Sequence, residues 1–145
     1  MNLIVDTNII ISGLITPQGT IAELIFNKLD KSILVSPRFM LDELQDKFDR
    51  ILRITKYSNQ YLTDLIYLVH KKIDFIDDDL ISFENQKKAF ELVHDVDKKD
   101  LLFVALSLQT GYEIWAGDLK LINGLRQKGF RNVISTNELV KRLAL

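Results

Sequence analysis

Short apolar runs alternate along the chain with longer segments in which apolar residues recur every three or four positions. Runs that are too short for a helix core predict strands, at residues 3–5, 33–35, 114–116 and 132–134, with residues 73–76 as a further candidate. Alternating strand and helix signals are typical of an α/β protein with a mostly parallel sheet. We therefore expect one parallel sheet with helices packed against it.

Polar residues with capping character mark where several helices should begin. Residues 20–23 (TIAE) and 135–138 (STNE) have the spacing of a capping box, in which two side chains satisfy each other's backbone N–H groups. Ser36 before Pro37 predicts a capped helix with proline at its first position. That helix would carry Glu43 about two turns in.

Further helices are predicted by apolar spacing and by the glycines that follow it. Gly111 is placed to end one of them in a left-handed turn, and Gly129 closes another. These helices are expected at residues 58–72, 83–93, 101–108 and 119–128.

The composition fits one globular domain spanning residues 1–145. With 47% hydrophobic residues, the chain can bury one core but is too short for two ordinary domains. A net charge of -1 and a pI near 6.1 show no basic excess, so a nucleic-acid ligand would need a local basic rim. No cysteine is present, which excludes disulfides and thiolate metal sites and fits a reducing cytoplasm. No apolar stretch reaches the roughly 18 residues of a membrane span, so we expect a soluble protein without a membrane partner.

Acidic residues fall at the boundaries of predicted elements. Asp6 ends the first strand, Glu43 lies on the helix after the second, Asp100 opens a buried helix, and Asp118 follows a later strand. Because ligands of α/β folds bind at the carboxyl ends of parallel strands, these four carboxylates could meet in one pocket. Their mutual repulsion would call for a divalent cation, and hard oxygen donors favour Mg²⁺ or Mn²⁺. The layout predicts metal-assisted phosphodiester chemistry.

Each of these acids also has a purely structural explanation. Asp6 fits a turn or a helix cap, and Asp118 could cap the helix that follows it. Asp100 could complement a helix dipole, and Glu43 could be an ordinary solvated residue. The joint placement favours a shared site, because four separate explanations would otherwise be needed.

The order and content of several segments resemble the PIN-domain nucleases. The spacing from Asp100 to Gly111 and on to Asp118 is similar to that of VapC-type toxins in this family. The resemblance covers essentially the whole chain, and it implies a three-layer α/β/α sandwich around a mostly parallel sheet. It also implies an Mg²⁺- or Mn²⁺-dependent endoribonuclease acting on RNA, often with an antitoxin partner. The segments are NLIVDTNIIISGL, SPRFMLDEL, DVDKKDLLFVALSLQTG and EIWAGDLKL.

Carried over by motif, Asp6, Glu43, Asp100 and Asp118 match the four acids of the family in order. The resemblance makes all four catalytic and makes Asp6, Asp100 and Asp118 the metal ligands. Lys120 stands where many relatives have a further acid, so a second metal ion would be held weakly and activity with one metal stays open.

Residues beside the acids are candidates for supporting roles. Thr7 and Asn8 follow Asp6, and Asn8 resembles the polar residue that supports the site in the family. Asp97 precedes Asp100 by one helical turn and either tunes the site or caps the helix. The basic residues near the acids could hold RNA phosphates; they are Arg38, Lys98, Lys99 and Lys120.

Two alternatives to a nuclease stay open at this point. A haloacid-dehalogenase-like phosphatase would use a strand-end aspartate as nucleophile, but that family needs a second aspartate where this chain has Asn8. A non-catalytic module that binds RNA or protein is the other alternative, which the intact acids argue against. The sequence also leaves a homodimer open.

Overall fold

The computed structural model describes residues 1–96 and 98–144, with the side chain of Lys98 left out of the description. These residues form a five-stranded, all-parallel sheet in the order β3-β2-β1-β4-β5. The order reverses between β1 and β4, which is where parallel sheets open a crevice for ligands. The strands are β1 Asn2–Val5, β2 Ile33–Pro37, β3 Asp74–Ile76, β4 Glu113–Trp115 and β5 Val133–Ile134.

Helices flank this sheet, so the expected three-layer α/β/α arrangement is confirmed. A π-helical segment, Leu24–Lys28, continues α2, and single turns of 3₁₀ helix occupy Asp78–Leu80 and Lys98–Asp100. The helices are α1 Thr7–Ile15, α2 Thr20–Glu23, α3 Met40–Thr55, α4 Asn59–Lys72, α5 Phe83–Val93, α6 Leu101–Thr110, α7 Leu119–Gln127 and α8 Thr136–Ala144.

The helices pack in two groups. The first has α1 at its centre, in contact with α2, α3 and α4. In the second, α6 lies against β1, β2 and β4 and contacts α5, which in turn contacts α7. The central strand β1 is covered on both faces, since Leu3, Ile4 and Val5 are fully buried. This explains why β1 reads as a continuous apolar run rather than an alternating one.

Several predicted boundaries are confirmed. The helix predicted at residues 83–93 is α5, and the one at 58–72 is α4 with Ser58 as its N-cap. Gly111 and Gly129 both adopt the left-handed backbone expected of them, with φ of 76° and 87°. The second capping box also forms. Glu138 accepts the N–H of Ser135 at 3.1 Å, and Ser135 Oγ accepts the N–H of Glu138 at 3.2 Å.

Other boundary predictions are wrong. Ser36 and Pro37 belong to β2 and do not start a helix, and α3 begins only at Met40, which puts Glu43 in its first turn rather than two turns in. The box predicted at residues 20–23 does not form, because Gly19 is the N-cap of α2 and no side chain caps that helix. No helix was predicted at residues 7–15, where the apolar run continues into α1.

In the described part of the chain, no single helix has the length and apolar character to cross a membrane. Thr7–Ile15 and Thr20–Lys28 meet those two criteria only together, as a pair bent by 108°.

Candidate active site

A polar cavity of about 140 Å³ lies at the carboxyl end of β1, bounded by α1, α3 and the start of α6. Three of the four predicted acids, Asp6, Glu43 and Asp100, line it. They come from three different elements, so the fold itself brings them together. The remaining lining residues are Thr7, Asn8, Ile11, Lys47, Lys99 and Phe103.

Asp6 is fixed in the cavity wall by the backbone around it. Its N–H donates to the carbonyl of Trp115 at 3.2 Å, which extends the pairing of β1 with β4 by one residue. Its side chain is the N-cap of α1, with Oδ1 accepting the N–H of Asn8 at 3.0 Å. Only 3% of Asp6 is exposed, and Oδ2 is buried. The predicted cap and the predicted cavity acid are therefore the same residue.

Thr7 links α1 to α3 across the cavity. Its hydroxyl donates to Glu43 Oε1 at 2.8 Å, and Thr7 itself is buried. Glu43 is half-buried in the first turn of α3. A hydrogen bond to a carboxylate from a buried hydroxyl restricts the orientation of that carboxylate. Thr7 thus positions Glu43.

Asp100 lies where the 3₁₀ turn Lys98–Asp100 passes into α6. It is half-buried, and its neighbour Lys99 is exposed and also lines the cavity. Phe103 adds an apolar wall on the same side and packs edge-to-face on Phe39 at 5.3 Å between ring centroids. Asp97 lies outside the described residues.

Asp118 lies at the same edge of the sheet, beyond β4, but it does not line the acidic cavity. It is the N-cap of α7, and its Oδ1 accepts the N–H of Lys120 at 2.9 Å. The side chain is half-buried. A capping role is therefore present in the structure, and a metal-binding role for Asp118 stays a prediction.

The predicted phosphate-binding residues are spread out. Lys99 lines the acidic cavity, whereas Arg38 is exposed and pairs with Asp77 at 3.8 Å. Lys120 is exposed beside Asp118, and the side chain of Lys98 lies outside the described residues. Sequence reasoning missed Lys47, which lines the cavity from α3. Its position four residues after Glu43 on a predicted helix was the signal that could have identified it.

The donor chemistry of the cavity suits a hard divalent cation. Carboxylate, hydroxyl and amide oxygens are available from Asp6, Glu43, Asp100, Thr7 and Asn8. Within the described residues, no three His, Asp or Glu side chains are clustered closely enough to hold a metal ion between them. Mg²⁺ does not need such a cage, because it usually keeps several waters and takes one or two carboxylates together with substrate phosphates. The residues present therefore fit that mode of binding.

The acid run at residues 77–79 has a structural role. Asp78 Oδ1 accepts the N–H of Phe39 at 3.2 Å, just before α3, and Asp79 is exposed. Trp115 is fully buried, and its Nε1 donates to Thr136 Oγ1 at 3.0 Å, as expected of a core residue with a satisfied indole.

The sequence and the fold can both be compared with those of known proteins. A family model described as the PIN domain matches residues 4–138. Among solved structures, the chain is similar to the crystal structure of VapBC2 from Rickettsia felis bound to a DNA fragment from their promoter. The TM-score is 0.62 at 18% sequence identity, covering 93% of this chain and 97% of that chain. At this identity the likeness shows the fold alone. No curated protein matches the chain significantly.

Proposed function

The chain belongs to the PIN-domain family, and from that premise we propose that it is a divalent-metal-dependent endoribonuclease. The observation that carries the proposal is the meeting of Asp6, Glu43 and Asp100, from three separate elements, in one cavity at the reversal point of the sheet. Carboxylates brought together at such an edge are costly unless a cation offsets their charge. A catalytic site explains why the fold collects them there.

Asp6 and Asp100 would hold an Mg²⁺ or Mn²⁺ ion, and Asp118 stays the further predicted ligand. When bound, such an ion polarises a phosphate and lowers the pKa of a coordinated water. Glu43, oriented by the Thr7 hydroxyl, would orient the attacking water and accept its proton at the carboxylate. Lys99, which lines the cavity, would hold a phosphate of the RNA strand.

We include a partner of the antitoxin class in the proposal. The similar structure from Rickettsia felis is that of VapBC2 on promoter DNA, and the likeness covers nearly all of both chains. A small partner of this kind would inhibit RNA cleavage in the cell. Co-purification with the product of a neighbouring small gene, with loss of RNA cleavage in the complex, would test this part.

RNA cleavage by purified protein tests the proposed activity. We expect a single-stranded RNA to be cut with Mg²⁺ or Mn²⁺ and to stay intact in excess chelator. Asp6→Asn and Asp100→Asn should each abolish cutting while the circular dichroism spectrum and melting temperature stay close to those of the wild type. Asp79→Asn removes the same charge from an exposed position outside the cavity, so it should cut normally.

The outcomes separate the alternatives. Cleavage that persists in both cavity variants would overturn the assignment. Release of phosphate from a small monoester, without cutting of RNA, would favour a phosphatase. Specific RNA binding without cleavage under any metal would indicate a module that binds without catalysis.

A further inference from the structure

Lys47 occupies a junction between three neighbouring cavities. It lines the acidic cavity, a groove of about 220 Å³ between α1 and α3, and an open depression of about 400 Å³ beside Phe39 and Asp46. Asn8 and Ile11 are shared by the acidic cavity and the groove. The groove therefore adjoins the acidic cavity.

The walls of this groove, which we call the α1–α3 groove, follow from helical spacing. Lys47, Arg50 and Ile54 are separated by three and four residues, which places them along one face of α3. The opposite wall runs along α1 from Asn8 to Ile15. At 1.5 Å per residue these walls are roughly 10 Å long. The groove thus leads away from the acids for about the length of two helical turns.

Two cations in the groove are not used by the fold. Within the described residues, neither Lys47 nor Arg50 forms a hydrogen bond or an ion pair with another side chain. Acids are present one turn earlier on the same helix, at Glu43 and Asp46, yet no pair forms. Lys47 is half-buried and Arg50 is exposed. Both charges are therefore available to an anionic ligand.

The walls of the groove also carry apolar side chains. Ile11 and Ile15 of α1 are half-buried, and Ile54 of α3 has 52% of its surface exposed. Cations beside apolar side chains match the chemistry of single-stranded RNA, which presents phosphates on one side and ribose and base faces on the other. A protein helix could cover these apolar side chains, but it would have to supply acidic partners for the two cations.

Electrostatics favours RNA as the occupant. The acids of the cavity repel an approaching phosphate, and a chain with net charge -1 offers no overall attraction to offset this. Cations next to the acids would offset this repulsion locally. We propose that the α1–α3 groove is an RNA subsite. Lys47 and Arg50 would hold phosphates that neighbour the cleaved phosphate in the same RNA strand. This subsite rests on the proposed ribonuclease function.

Binding of RNA measures this subsite separately from catalysis. A random-sequence 12-nucleotide RNA is titrated against Lys47→Gln/Arg50→Gln protein in excess chelator, over a series of salt concentrations. The matched control is Arg131→Gln/Lys141→Gln, which removes one arginine and one lysine from exposed positions that line no acidic cavity or groove. Loss of two phosphate contacts should lower the salt slope of log K by about 1.4, since each contact contributes ~0.7 on single strands.

We expect the groove pair to weaken binding at least tenfold, with the lower salt slope, and the control pair to bind like the wild type. The same groove pair should raise KM for RNA more than it lowers kcat. Equal effects of both pairs, or no effect of either, would overturn the subsite. If RNA binds in this pattern but is never cut, the proposed function fails while the subsite stands. If RNA is cut and the groove pair behaves as the control, the proposed function stands and the subsite fails.

Discussion

Asp6 carries a structural and a chemical role that substitution can separate. Its Oδ1 caps α1 at the N–H of Asn8, while its other oxygen is buried at the cavity. Asparagine caps a helix about as well as aspartate, whereas alanine cannot. Asp6→Ala should therefore lower the free energy of unfolding by about 1 kcal/mol relative to Asp6→Asn. Urea denaturation of both variants measures the difference, and equal stabilities would show that the cap contributes nothing.

Thr7 should act as a positioning residue. Removing its hydroxyl releases Glu43 Oε1 while leaving a side chain of similar size. By analogy with groups that orient metal-site ligands, Thr7→Val should reduce kcat by roughly 10- to 100-fold. Thr7→Ser keeps the hydroxyl and should retain most activity. If the serine variant is impaired and the valine variant is not, packing of the methyl group rather than the hydrogen bond is responsible.

At the level of elements, one carboxylate both caps α8 and joins it to α7. Glu138 closes the capping box with Ser135. Its Oε1 and Oε2 also accept hydrogen bonds from the guanidinium of Arg126 in α7, at 2.9 and 3.0 Å. The Arg126 hydrogen bond, helped by the N–H of Ser135, lowers the pKa of Glu138 from its ordinary 4.5 to about 2. A lowered pKa in the folded state means stability that is fully present above pH 4.5 and is lost as the pH falls toward 2.

Glu138→Gln should therefore cost stability in a pH-dependent way. Because the side chain is 45% exposed, we expect only about 1 kcal/mol at pH 7. The difference between wild type and variant should shrink as the pH is lowered from 4.5 and vanish near 2. Guanidinium denaturation across this range measures it, with Glu91→Gln at an exposed position as the control. A difference that does not depend on pH would contradict the assignment to this carboxylate.

Local capping signals predicted some helix starts and failed at others. The capping box at Ser135 formed, whereas the box of the same spacing at residues 20–23 did not, because α2 begins with Gly19 as its N-cap. The cap expected at Ser36 did not form, because Ser36 and Pro37 pair with β3, and Ser36 Oγ donates to the carbonyl of Val5. No residue close to Ser36 in the sequence predicts that pairing. Its local sequence fits a helix start equally well.

At the scale of the whole molecule, strand ends could be read from sequence and side-chain directions could not. Asp6, Glu43 and Asp100 were expected together because each lies at or near the carboxyl edge of the sheet, and they do line one cavity. Asp118 shares that edge but lies outside the cavity, a distinction set by the path of the chain after β4. Helical spacing puts Lys47 on the same face of α3 as Glu43, but its place in the groove also depends on how α3 crosses α1, which the sequence does not specify.

A cation in the cavity would tie together parts of the chain that are far apart in sequence. Ligands that bind only the folded state stabilise it, by about 2.7 kcal/mol at a hundredfold excess over Kd. For a chain of this size that corresponds to a rise in Tm of roughly 5–10 °C. Saturating Mn²⁺ should produce such a rise in the wild type and much less in Asp100→Asn. An equal rise in both would place the bound ion elsewhere.

The central claim is that Asp6 and Asp100 hold a divalent metal ion in the cavity that they share with Glu43, and Mn²⁺ binding followed by electron paramagnetic resonance tests it most directly. We expect saturable binding to the wild type, with affinity at least tenfold lower in Asp6→Asn and Asp100→Asn. Asp79→Asn, in the exposed acid run, should bind like the wild type. Absence of Mn²⁺ binding by the folded wild type, or a loss confined to the Asp79 variant, would contradict the account.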